Sequence, residues 1–216
     1  MTAFPSPNFG ERRGGVRPGL VVLHYTAMAS CAEARARLCS VEHQVSAHWL
    51  ISENGQSEQL VDEAMRAWHA GAGGWAGLTD INSHSIGIEL ANTGFHPFSE
   101  PQMLALEALL TGIMARWAIP PAGVIAHSDM APGRKFDPGA RFDWHRLAHA
   151  GLSIWPDGPG DATFPLTDSL DRIGYPPADA DRRLSAFRLR FRPFAQGGET
   201  AADRAMADAV AQLTRT

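Results

Sequence analysis

Lysine is nearly absent from this chain of 216 residues. Of its 19 basic residues only Lys135 is lysine, and the rest are arginine. With 23 acidic residues the net charge is −4. That balance gives no support for a nucleic-acid partner, whose usual footprint is a basic patch. Cysteine is scarce as well. If both lie on one helix, Cys31 and Cys39 stand about 12 Å apart by rise alone, beyond disulfide reach, and neither count nor spacing indicates a secreted disulfide framework. No apolar run approaches the length that spans a bilayer, and no membrane span is expected. The stretch from Met1 to Gly19 is rich in Pro, Gly and Arg and lacks the apolar core of an export signal. The expected location is therefore cytoplasmic, with the periplasm or outer membrane as the alternative for a chain trimmed of its signal sequence. A His-Glu-x-x-His helix, the signature of many zinc peptidases, is also missing.

What remains is ordinary globular composition, 44% hydrophobic and 19% charged. Apolar runs at Leu20–His24 and Val124–His127 predict buried strands, as does Ser85–Ala91. Val45–Ser52 and Ser57–Val61 flank Glu53-Asn54-Gly55 and predict a hairpin, because Asn-Gly tolerates the positive φ of a tight turn. Ala29–Gln44 has helical composition. Ser99-Glu100-Pro101-Gln102 reads as a helix start, followed by Met103, Leu106, Leu110, Ile113 and Trp117 at helical spacing. Asp143 caps a short helix to Ala150. After Trp155 a Pro/Gly linker leads to three helix-like pieces, Leu166–Ile173, Ala178–Phe191 and Thr200–Leu213. The expected fold is α/β, a central mixed β-sheet flanked by helices, plus a small three-helix C-terminal domain. Domain one is expected at 1–158 and domain two at 159–216.

The chain is organised around residues 124–139. A strand ends at His127, and a Pro/Gly-rich loop follows that carries Lys135 and Asp137. Leu20–His24 delivers a second histidine in the same way. Two strand-end imidazoles and a loop carboxylate are the ligand types of a catalytic zinc, bound at roughly 2.0–2.2 Å with one position open. The candidate site is His24/His127/Asp137. A lone strand-end histidine is more often structural, and it is the conjunction that raises the metal reading to about even. Hydrolysis at such a metal also needs a base. Glu89, a carboxylate in an apolar strand, suits that task or else pairs with an arginine. Lys135 either faces the cleft, where an ammonium would stabilise an oxyanion, or is an exposed loop residue. His69 reads as a cleft-lining or supporting histidine and His48 as a packed one. His43, His84, His96, His145 and His149 read as surface or structural.

The strings Leu23-His24-Tyr25-Thr26, Val45-Ser46-Ala47-His48, Arg66-Ala67-Trp68-His69-Ala70-Gly71, Ser85-Ile86-Gly87-Ile88-Glu89-Leu90 and His127 to Gly139 resemble the zinc-dependent N-acetylmuramoyl-L-alanine amidases. That family shares its fold with amidase-type phage lysozymes and peptidoglycan recognition proteins. The likeness covers roughly residues 5–155. It implies Zn2+ on His24, His127 and Asp137, Glu89 as catalytic acid/base, and Lys135 as transition-state stabiliser. Aspartate as third ligand resembles the bacterial recycling and envelope branch. In that branch Arg66 and Arg134 would contact the stem peptide, with His69 alongside the substrate. The implied partner is peptidoglycan or a muropeptide, and the implied reaction cuts the amide between N-acetylmuramic acid, or its 1,6-anhydro form, and L-alanine. The alternative is a recognition protein that binds muropeptides without cutting them.

Residues 166–214 resemble, more loosely, the three-helix peptidoglycan-binding module fused to some of these amidases. Arg188 stands where that module usually has glutamine, so a packing role is equally open. Since every candidate ligand precedes Pro159, removal of the C-terminal segment is expected to leave the metal site intact.

Overall fold

The computed structural model describes residues 5–214, so residues 1–4 of the expected N-terminal arm and the last two residues lie outside it. In chain order the elements are β1 (Phe9–Gly10), β2 (Leu20–Tyr25), α1 (Cys31–Leu38), β3 (Trp49–Ile51), β4 (Ser57–Gln59), β5 (Arg66–Ala67), α2 (Ile81–His84) and β6 (Ser85–Leu90). They continue as α3 (Glu100–Trp117), β7 (Val124–Ala126), α4 (His127–Met130), α5 (Trp144–His149), α6 (Leu166–Ile173), α7 (Ala180–Phe191) and α8 (Ala201–Leu213). Five strands form a mixed sheet in the order β4-β3-β6-β2-β7. Only the β3–β4 hairpin is antiparallel. A small antiparallel pair, β1 with β5, stands apart and has no counterpart in the sequence reading.

The two faces of the sheet bury different partners, and the period-2 alternation of β2 shows why. Val21 and Leu23 point to one side, where they meet Ile86, Ile88 and Leu90 of β6 and the apolar stripe of α3. That stripe is the predicted Met103, Leu106, Leu110 and Ile113; truncating one of these leucines to alanine costs about 2–5 kcal/mol. Ser99 caps α3 as expected, accepting a hydrogen bond from the Gln102 amide. Leu20 and Val22 point to the other side, where with Ile125 they join Leu166, Leu170, Ile173, Phe187 and Val210 of the last three helices. The C-terminal helices form where expected, but their apolar faces enter the same core as the sheet.

Several boundaries differ from the sequence reading. The helix expected over 29–44 stops at Leu38: Val41 is 69% exposed, and Gln44 has a positive φ. Past Leu38 no apolar face remains to be buried, and the chain turns instead. The strand expected over 45–52 is regular only at Trp49–Ile51, because the His48 carbonyl accepts from both Leu60 and Val61 and disrupts the ladder. His127 does not close a strand. It opens α4, whose first turn is fixed by the Asp129 carboxylate accepting the Ala126 amide at 2.9 Å. Among the described residues no helix is long and apolar enough to cross a membrane. Cys31 and Cys39 are not joined in a disulfide.

Candidate metal and catalytic site

The alternation that sends Leu20 and Val22 to one face sends His24 there too, at the end of β2. Strand β6 runs beside it in parallel register, with His24 opposite Glu89. Strand β7 lies on the other side of β2 and hands His127 to the same edge. The loop after α4 returns Asp137, whose carbonyl accepts the Ser128 amide and so holds it against His127. All three side chains are buried, and they are the one cluster of metal-ligand type among the described residues. His24 Nδ1 lies 2.8 Å from His127 Nδ1, and each is 2.9 Å from Asp137 Oδ2.

Which of these atoms carries a proton follows from the surrounding hydrogen bonds, since tautomers are assigned from the network around them. The Ser85 hydroxyl donates to the Ile81 carbonyl at 2.6 Å, so Ser85 Oγ accepts from His69 Nε2 at 3.2 Å. His69 Nδ1 is then an acceptor, and His24 Nε2 donates to it at 3.0 Å. His24 Nδ1 is left with a lone pair. On the other ligand, His127 Nε2 stands 2.8 Å from the Ala70 carbonyl, which can only accept, so Nε2 carries a proton. Burial pushes His24 down to about 4, so it stays neutral. Burial alone would raise Asp137, but the two imidazoles against it hold it below the usual carboxylate range, so it is an anion. Two imidazole nitrogens and a carboxylate oxygen thus face one point within 2.9 Å of one another. A cation is what satisfies such a point, and imidazole nitrogens whose far sides are hydrogen-bonded are how proteins present ligands to one.

The cleft over this point has a volume of about 360 Å³ and is lined among others by Glu89, His69, Arg134, Lys135 and Tyr25. Burial raises Glu89 to about 8, with the Asp137 charge adding to the effect and Lys135 opposing it. Its Oε2 is buried without a hydrogen-bond partner among the described residues, so the arginine pairing allowed by the sequence does not occur. Lys135 is half-buried on the cleft wall and pairs with no carboxylate among the described residues.

The three residues expected near the substrate fall in different places. Arg66 is not on the cleft wall: its guanidinium is tied to Asp80. Arg134 does reach the cleft, but it donates to the carbonyls of Ala70 and Ala72, so it also fastens the loop that holds His127. Both ring nitrogens of His69 are used inside the protein, which leaves it orienting His24 and offering only a ring edge to a substrate. His48 is packed, as expected, accepting from the Gly87 amide and donating to the Met65 carbonyl. Gly87 itself was missed. A Cβ there would lie 2.3 Å from the His69 ring, so the glycine makes room for the ring behind His24.

A parallel-sheet edge with two imidazoles and one carboxylate around a cation position, flanked by an unpaired carboxylate and an ammonium, defines a metal-assisted hydrolase. The sequence profile described as N-acetylmuramoyl-L-alanine amidase matches residues 14–140, more than half of the chain, and the chain belongs to that family. It is 38% identical over 229 residues to the N-acetylmuramoyl-L-alanine amidase AmiD of Escherichia coli K12, covering 88% of this chain and 81% of that one. It is 41% identical over 104 residues to the 1,6-anhydro-N-acetylmuramyl-L-alanine amidase AmpD of Haemophilus influenzae, covering 48% of this chain and 56% of AmpD. Among solved structures, E. coli AmiD in complex with the substrate anhydro-N-acetylmuramic acid-L-Ala-D-γ-Glu-L-Lys superposes with a TM-score of 0.83 at 33% identity, over 95% of this chain and 98% of that one.

Proposed function

We propose that this protein hydrolyses the amide bond between the lactyl group of N-acetylmuramic acid, or its 1,6-anhydro form, and L-alanine, with Zn2+ held by His24, His127 and Asp137. The observation that carries the reading is the set of two imidazole nitrogens and one carboxylate oxygen at 2.8–2.9 Å beside a Glu89 carboxyl whose Oε2 has no partner among the described residues. Two nitrogens and one oxygen in a buried site with room above it suit zinc. When bound, zinc supplies a Lewis acid that polarises the carbonyl and acidifies a water.

The chain's own groups account for the proton movements. In its ionised form Glu89 takes a proton from the attacking water as the new C–O bond forms. Lys135 sets its positive charge against the oxygen that gains charge in the tetrahedral species. Glu89 then passes the proton to the departing nitrogen as the C–N bond breaks, leaving a lactyl carboxylate and the free amine of L-alanine. Arg134, held at the cleft wall, is placed to meet a carboxylate of the stem peptide; Arg66 would have to release Asp80 to do so.

Non-catalytic recognition of muropeptides is the second reading, and the presence of all five groups in one cleft weighs against it. We favour soluble anhydro-muropeptide as substrate, the compound named with the similar AmiD structure. A cytoplasmic location goes with that preference. The test is zinc content together with release of the L-alanyl peptide from an anhydro-muropeptide and from intact sacculi. A zinc-loaded protein that cleaves neither refutes the hydrolase reading. Equal or better turnover on sacculi, with the protein found in the envelope, refutes the substrate and location.

A further inference from the structure

We propose that the C-terminal helices are a clamp on the metal ligand His127, with Tyr175 and Arg190 as its positioning residues. This rests on His127 being a metal ligand. It does not depend on which bond the enzyme cuts.

The clamp closes on Asp129, two positions beyond His127 in α4 and wholly buried. Asp129 Oδ2 accepts the Ala126 amide and so shapes the turn from which His127 projects. Its other donors both come from the C-terminal segment: Tyr175 Oη gives to Oδ1 at 2.7 Å, and Arg190 Nη1 gives to Oδ2 at 2.8 Å. Arg190 is itself immobilised. It lies over the Trp144 ring at 4.2 Å, donates to Ser153, and its side chain is 2% exposed. A buried carboxylate so tightly held keeps α4 in one conformation, because losing either donor leaves its charge under-compensated.

The same segment also grips the far side of the His127 ring. Nε2 of that ring donates to Ala70, at the start of the glycine-rich loop. The loop is fastened twice: the Gly74 amide donates to Met130 of α4, and the Ala76 amide to the Gly174 carbonyl. Tyr175 follows Gly174 directly, and its ring meets Trp75 edge-on at 5.1 Å. One short turn, Gly174–Tyr175, therefore touches both the helix that carries His127 and the loop that orients its imidazole. Arg188, by contrast, is spent within the C-terminal segment, on Asp203 and the carbonyls of Gly197 and Gly198.

Outer partners of metal ligands typically tune metal affinity by about 10–100-fold. The experiment uses the full-length protein and measures zinc affinity by competition with a chelator, the absorption spectrum of the Co2+-substituted form, and melting of the metal-free form. Tyr175→Phe removes one hydroxyl and keeps the ring. It should weaken zinc about 10-fold, alter the cobalt spectrum, and lower kcat while leaving KM in place. Arg190→Met should do more and Arg190→Lys less, as partial rescue. Leu170→Ala is the control: it loosens the same core without touching Asp129, and should lower the melting temperature while zinc affinity stays parental. Parental zinc affinity and cobalt spectrum in Tyr175→Phe would overturn the clamp. So would a loss of zinc affinity in Leu170→Ala as large as that in Tyr175→Phe at matched melting temperature. Should Arg190→Met fail to fold, Tyr175→Phe decides alone. Zinc affinity is read without substrate, so a failed amidase assay would leave the result standing.

Discussion

Gly87→Ala adds one methyl group to a central strand far from solvent. The ordinary expectation is a gain, since glycine inside a strand costs about 0.5–1 kcal/mol relative to alanine. The structure reverses the sign. The new Cβ would sit 2.3 Å from His69 Cγ and 2.6 Å from Nδ1, against an ordinary contact of 3.4 Å or more, so the ring must move by about 1 Å. That ring is tied at 3.0 Å to His24 and 3.2 Å to Ser85, and such a shift breaks at least one bond. The Gly87 amide also donates to His48, so the backbone is not free to retreat. Overpacking of this kind costs about 1–3 kcal/mol, which exceeds the propensity gain. Loss of the bond behind a metal-binding histidine weakens metal binding by about 10–100-fold. The assay is chelator competition for zinc alongside thermal melting, on the parent, Gly87→Ala, His69→Ala and the double variant. In the His69→Ala background the methyl group has room, so Gly87→Ala should be neutral or slightly stabilising there, a coupling the four-protein cycle reads directly. If Gly87→Ala alone binds zinc and melts like the parent, the proposed His24–His69–Ser85 relay is wrong.

Substituting His24 or Asp137 by alanine should abolish zinc binding and amide cleavage together; a variant that loses the metal yet turns over muropeptide at the parental rate refutes the ligand assignment. Glu89→Gln and Lys135→Ala should keep fold and zinc but lose at least about 10²-fold in kcat, measured by peptide release. Stability should fall in acid. Burial raises Asp203 and Glu63, but Arg188, Thr200 and Arg192 hold the first below its ordinary value, and Arg116, Trp117 and Trp49 the second. Such depressed carboxyls contribute stability above their unfolded values, about 3.9 and 4.3, and lose it as the pH falls through the folded ones. The melting-temperature gap between parent and Asp203→Asn should therefore narrow from about pH 6 to pH 3, and a constant gap would refute the linkage. Removal of the chain after Pro159 should give an aggregating protein, with Leu20, Val22, Ile125 and Met130 uncovered and Asp129 stripped of two donors; a soluble, zinc-binding truncation would refute that.

The cluster of His24, His127 and Asp137 was legible because each ends an apolar run or sits in a Pro/Gly loop, patterns that fix local geometry before any tertiary contact is known. Glu89 was legible for the opposite reason: a lone carboxylate in Ser85–Leu90 contradicts its surroundings, and contradiction marks a task. What lay hidden depends on partners distant in sequence. His69 carries no local sign that both of its nitrogens are taken, one by a strand-end histidine and the other by a serine on β6. Gly87 has a meaning only once a ring stands against it. The pairing of Arg66 was hidden because its partner, Asp80, lies across a glycine-rich loop that gives no register.

The predicted truncation separates a local reading of the sequence from a tertiary one. Every ligand does precede Pro159, and the C-terminal helices do form as predicted. Whether they are dispensable for the site turns on β2, whose alternate residues go to different cores. Leu20 and Val22 are covered by α6–α8, and His24, next in the same alternation, emerges where that cover ends. The cleft is thus the uncovered remainder of a face whose larger part is closed by the last third of the chain. Asp129 stands on that boundary, joined to His127 on one side and to Tyr175 and Arg190 on the other. Breaking a buried pair by removing one partner costs about 3–5 kcal/mol, a large share of the 5–15 kcal/mol that holds a typical domain folded. By this measure the segment expected as a separate three-helix domain would help to keep the sheet edge that carries His24 and His127 in shape.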